Sequence, residues 1–168
     1  MNLWTLTVRS IAAGLVGVPA LVGCASAPAD PGPSISIARS GCYGRCPSYT
    51  FTLHANGRYV WVGRSDVSVK GTVRGKMNLQ IYGAARRLLN DAHYLEFKDR
   101  YATEADCEVI ATDHPSVDIV VAEAAQSKSI VHYLGCEGFA EQAALIQLEN
   151  DLDTVLQTRR FTGVGYPN

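Results

Sequence analysis

Tyr49-Thr50-Phe51-Thr52-Leu53-His54-Ala55-Asn56-Gly57-Arg58-Tyr59-Val60-Trp61-Val62 reads as two strands joined by a tight turn. Tyr49, Phe51 and Leu53 alternate with Thr50, Thr52 and His54, a period of two that sends one set to each face of a sheet. Asn56 and Gly57 accept the positive φ that a hairpin turn demands, and residues 59–62 form the return strand. Upstream, Ile35 and Ile37 alternate with Ser36 and Ala38 and predict a strand. Downstream, Val67, Val69 and Val73 predict another over residues 67–73.

The period then changes. Leu79, Tyr82, Ala85, Leu88, Leu89 and Ala92 share one helical face, with Asn78 placed to cap it. A loop follows over 98–108, then a second hairpin from strands at 117–123 and 129–134. Gly138 opens a last helix carrying Phe139, Ala143, Ile146, Leu148, Leu152 and Val155 along one side. Short connections favour antiparallel pairing, and each apolar helix stripe needs a sheet face to cover it. The expected fold is α+β, an antiparallel sheet with two packed helices in the order β-β-β-β-α-β-β-α.

The first thirty residues bear on location. Arg9 is the only charged residue before Cys24, and the apolar run 11–22 is too short to span a bilayer but suits a signal-peptide core. Leu21-Val22-Gly23-Cys24 resembles the lipobox of bacterial lipoproteins. That resemblance implies diacylglyceryl transfer to Cys24, cleavage after Gly23, and acylation of the new amino terminus. Two or more acyl chains give stable anchoring. Ala25-Ser26-Ala27 leaves open an ordinary signal peptide cut nearby. Ala25 after the lipidated cysteine resembles an outer-membrane sorting pattern, so an outer-membrane lipoprotein facing the periplasm is expected. The segments are then a leader at 1–23, a lipidated Cys24 and Pro/Ala-rich tether at 24–34, one domain at 35–160, and a tail at 161–168. Cleavage leaves fourteen basic residues against sixteen acidic ones, net −2, which argues against nucleic acid as a partner. It also gives no support for electrostatic binding to anionic lipid.

With Cys24 assigned to lipid, Cys42, Cys46, Cys107 and Cys136 remain, an even set that favours two disulfides in an exported domain. Three connectivities are possible. Gly44 lets the 42–46 loop turn back, and Cys107 and Cys136 flank the second hairpin, which favours 42–46 with 107–136.

Gly41-Cys42-Tyr43-Gly44-Arg45-Cys46-Pro47-Ser48-Tyr49, followed by a strand and the Gly57 turn, resembles a bacterial domain of unknown function, number 6438 in its series. Tyr101, Asp106-Cys107, Thr112-Asp113, His132-Tyr133 and Gly135-Cys136 extend the likeness over residues 35–160. Phe161 stands where a tryptophan is expected after the last helix. The resemblance implies a domain boundary and no reaction.

Chemistry-bearing residues divide into four readings. Cys42 and Cys46, with His54 or His132, offer soft ligands for a copper-type metal; a disulfide explains the cysteines as simply. A redox pair would want two intervening residues at a helix start, which this segment lacks. Asp106, Asp113, His114 and Ser116 are catalytic residue types without a nucleophile elbow or zinc-ligand spacing, so a turn is the better reading. Tyr43 and Arg45, in the cysteine loop, are the candidate contacts for an envelope protein or glycan. The sum is a non-enzymatic, lipid-anchored binding or structural module of the cell envelope. It takes no cofactor beyond its covalent lipid, and the alternative is a periplasmic metal-handling protein.

Overall fold

The computed structural model of the chain describes residues 32–163. The leader, Cys24, most of the tether and the last five residues lie outside that range. The domain opens with β1 (Ser34–Arg39), β2 (Tyr49–His54), β3 (Arg58–Gly63) and β4 (Gly71–Lys76), followed by α1 (Leu79–Asp91). Then come β5 (Arg100–Tyr101), β6 (Val109–Ile110), β7 (Ser116–Ala122), β8 (Ser127–Tyr133) and β9 (Cys136–Glu137). Helices α2 (Gln142–Val155) and α3 (Arg159–Thr162) close it.

Seven strands form one sheet in the order β4-β3-β2-β1-β7-β8-β5. Every pairing in it is antiparallel except β5 with β8. β1 sits at the centre, and its alternation is complete: Ile35, Ile37 and Arg39 all face inward and are buried. Cross-strand register then sets one apolar row, Trp61–Phe51–Ile37–Ile119–Ile130, across five strands. All five side chains are buried, each contributing roughly 1.5–3 kcal/mol. Helices α1 and α2 pack on this face and on each other. The opposite face is polar, with Ser36 and Thr52 hydroxyls 3.0 Å apart.

The expected class holds, while the element order needs correction. Strand β4 begins at Gly71, four residues later than expected, because residues 67–69 serve another purpose. Val67 is buried, the Val69 carbonyl accepts from Trp61 Nε1 (2.8 Å), and the amides of Ser68 and Val69 donate to Thr162 and Phe161. The chain resumes as a strand after Gly71, whose φ is +83°. Two-residue strands β5, β6 and β9, and the four-residue α3, are too short to show a period.

Asn78 caps α1 as expected, its side chain accepting from the Gln80 amide (2.9 Å), but Leu79 is exposed rather than packed. Helix α2 starts at Gln142, and its buried stripe is Leu145, Leu148, Glu149 and Leu152; Ala143 and Ile146 face solvent. Phe161, from the stretch assigned to the tail, stacks on Trp61 with ring centroids 4.8 Å apart and is buried. The core therefore runs through α3.

Candidate functional site

β1 delivers Arg39 to the inward face at the strand's last position, two residues beyond Ile37. Such a guanidinium needs a countercharge, and α2 supplies it. Arg39 Nε donates to Asp153 Oδ2 at 2.7 Å, and Tyr49 and Thr158 hydroxyls donate to Asp153 Oδ1. Burial works against the Arg39 charge, and Asp153, then Tyr49 and Glu149, more than offset it, so its pKa lies above the ordinary value. Burial, reinforced by the Asp153 charge, also raises the Tyr49 phenol, which keeps it a donor.

One turn earlier on α2, Glu149 meets β8. His132 Nδ1–H donates to Glu149 Oε1 at 2.7 Å, with both side chains at least 98 % buried. The ring of His132 stands edge-on to Phe139 (5.4 Å) and Tyr101 (6.4 Å). Its Nε2 has no hydrogen-bond partner among the described residues. Glu149 thus orients the ring.

Arg39, His132 and Glu149 line a cavity of about 470 Å³, a size suited to a small molecule or a peptide side chain. Cys42 and Cys46 form one wall, Asp113 and His114 another, and Ile146 and Asn150 of α2 a third.

The two disulfides are Cys42–Cys46, Cα atoms 5.6 Å apart, and Cys107–Cys136, Cα atoms 5.2 Å apart. This is the connectivity that the loop spacing favours. The first braces a loop whose Tyr43 amide donates to the Asp113 carbonyl (3.3 Å), joining it to the segment before β7. The second ties Cys107, two residues before β6, to β9. Tyr43 itself is 92 % exposed, and Arg45 is exposed beside it.

The structure brings some expected site residues together and separates others. Cys42, Cys46 and His132 border one cavity, whereas His54 lies on the polar face of β2. The two sulfurs are bonded to each other and present no thiolate to a soft metal. Among the described residues no group of three or more His, Cys, Asp and Glu side chains is arranged to hold a metal ion. Asp113 and His114 reach the cavity, while Asp106 sits between β5 and β6 and accepts from the Thr103 hydroxyl at 2.7 Å. The Ser116 amide donates to the Ser40 hydroxyl (2.7 Å) as β7 begins.

Arg39, Glu149 and Asp153 escaped the sequence reading, although a signal existed. Arg39 occupies the third inward position of an Ile-x-Ile-x-Arg alternation, and Glu149 and Asp153 follow Leu145 at successive i,i+4 steps. Charges at core-facing positions on two elements announce a buried pair.

These features define a disulfide-braced α+β domain with a polar-floored cavity at the exit end of its central strand. Residues 33–156 match the family described as Domain of unknown function (DUF6438), and the chain belongs to that family. No curated protein matches it. No helix of the described residues is long and apolar enough to cross a membrane.

Proposed function

We propose that this protein is a lipid-anchored, non-enzymatic binding module of the bacterial cell envelope. In this reading it is acylated at Cys24, held on the outer membrane facing the periplasm, and meets its partner through the cysteine loop and the cavity behind it. The observation that supports this most directly is Tyr43, an aromatic ring left 92 % exposed on a loop braced by Cys42–Cys46 and bonded to Asp113. Bracing the backbone that carries it lowers the entropy lost on binding, and aromatic residues dominate interface energetics. Arg45 adds a planar donor for an acidic partner. The cavity floor of Arg39, His132 and Glu149 supplies the few fixed polar groups that orient a ligand.

A photo-crosslinking amino acid at position 43, compared with one at Asn56 at the other end of the sheet, tests the assignment in intact envelopes. A discrete adduct from position 43 alone, weakened by Arg45→Glu, is the expected result. Equal labelling from both positions overturns it. A thiol assay on the unreduced protein belongs with it: free Cys42 and Cys46 that disappear on adding Cu(I) would return the reading to metal handling. Anchoring is tested by lipid-precursor labelling, which should be lost in Cys24→Ser.

A further inference from the structure

The near-zero net charge conceals a strong asymmetry. Residues 31–90 hold nine Lys and Arg against a single acid, Asp66, whereas residues 91–168 hold five against fourteen. The sheet order turns this sequence asymmetry into a spatial one, because β2, β3 and β4 lie together on one side of β1 and β7, β8 and β5 on the other.

The basic half has a focus. Arg58 pairs in register with Lys76 and Val60 with Arg74, so all three cations stand on the sheet face away from the helices, toward one end. All three are exposed, and none has an ion-pair partner among the described residues. Other cations at that end are spent: Arg86 on Glu123 (2.9 Å) and Lys128 on Asp99. Beside them Leu79 is 58 % exposed, close enough to the hairpin turn that a Cβ on Gly57 would stand 3.1 Å from its Cδ2.

This is also the end at which the described chain begins. The Ala55 amide donates to the Pro33 carbonyl (2.8 Å), and Ser34 pairs with His54, which places residue 33 against the β2–β3 turn. At 4.7–4.9 Å per strand, β3 and β4 lie about 10 and 15 Å from β1. The eight residue steps from Cys24 to Gly32 span at most about 29 Å. A domain anchored at Cys24 therefore keeps Arg58, Arg74 and Lys76 near the bilayer. The tether permits contact, and the charge directs it, since attraction grows steeply within the Debye length of about 8 Å.

We infer that Arg58, Arg74 and Lys76, with Leu79 beside them, form a docking face for the phosphate headgroups of an anionic bilayer. The inference builds on the lipid-anchor reading and adds an orientation to it. β1 runs from the tether end to Arg39, so a bilayer held at its start leaves the Cys42–Cys46 loop and the cavity at the far end.

The test uses the mature lipidated protein in phosphatidylethanolamine–phosphatidylglycerol vesicles carrying a lipid-attached quencher. A fluorescent amino acid sits at Asn56 or at Tyr43. Strong quenching at Asn56, weak quenching at Tyr43, and loss of the difference in R58E/R74E/K76E or in pure phosphatidylcholine are expected. Equal quenching at both positions, or a difference indifferent to charge reversal, overturns the proposal. A second arm separates this face from the anchor. The unlipidated chain starting at Ala25 keeps the whole core and both disulfides. Its sedimentation with anionic vesicles should fall roughly fivefold per cation removed, on the order of 100-fold for all three. Salt-sensitive binding there, without lipid labelling at Cys24, would sink the anchor and keep the face; labelling without orientation would do the reverse.

Discussion

Asp153 receives hydrogen bonds from Arg39 of β1, Tyr49 of β2 and Thr158 in the turn between α2 and α3. Asp153→Ala would remove the ion-pair partner of a guanidinium that is only 2 % exposed, a change that should cost about 3–5 kcal/mol. Tyr49→Phe removes one donor and leaves the ion pair, so it should cost about 1 kcal/mol. Urea denaturation of the two variants distinguishes a charge-centred cluster from a simple hydrogen-bond network. Asp118 carries the pH prediction. Burial raises its carboxyl above the ordinary 3.8, with the Arg100 charge pulling the other way, and its Oδ1 has no hydrogen-bond partner. The folded state therefore holds this proton more tightly than the unfolded chain does. The associated stability is complete below about pH 3.8 and is lost as pH rises through the folded-state value. Asp118→Asn should raise the melting temperature at pH 7, and the gain should vanish near pH 3. At this scale the sequence was legible where a residue follows its pattern, as Asn78 does at its cap. It was opaque where buried charges interrupt an apolar stripe, because periodicity counts Arg39 and Glu149 as breaks rather than as core.

Elements were legible in proportion to their length. The hairpin of β2 and β3 and the helix α1 were readable because each repeats its period several times. β4 was misplaced because Val67 and Val69 mimic a strand, while Val69 is held by the nearby Trp61 indole and, with Ser68, by the backbone of α3, more than ninety residues along the chain. The same long-range packing explains Phe161, whose four residues of helix carry no pattern but whose ring stacks on Trp61 and meets Phe51 and Tyr59. Phe161→Ala should destabilise the domain by about 3–5 kcal/mol, where a true tail would give nothing measurable by thermal melting. The disulfides differ by loop length. Replacing Cys107 and Cys136 by Ala should cost roughly 3–4 kcal/mol, and replacing Cys42 and Cys46 about 2. Denaturant midpoints of the two double variants give the comparison directly. Near-equal losses would show that native-state packing, not chain entropy, sets their value.

At the scale of the whole molecule, class and disulfide pairing were readable, and the cavity was not. It is assembled from the ends of β1 and β8, one face of α2 and the loops beside them, so no window of sequence contains it. The charge partition was legible from counting alone, yet its meaning needed the strand order that places β4 at an edge. That edge has a further consequence. Anchored as proposed, the protein would meet its own copies at high density, and an unpaired strand is a template for joining them. β4 offers Gly71, Arg74, Gly75 and Lys76 along its length, and the other margin ends in β5, two residues long. Like charges and brevity both discourage one sheet from continuing into the next. Crowded neighbours would thus be expected to stay separate particles rather than extend one sheet into the next.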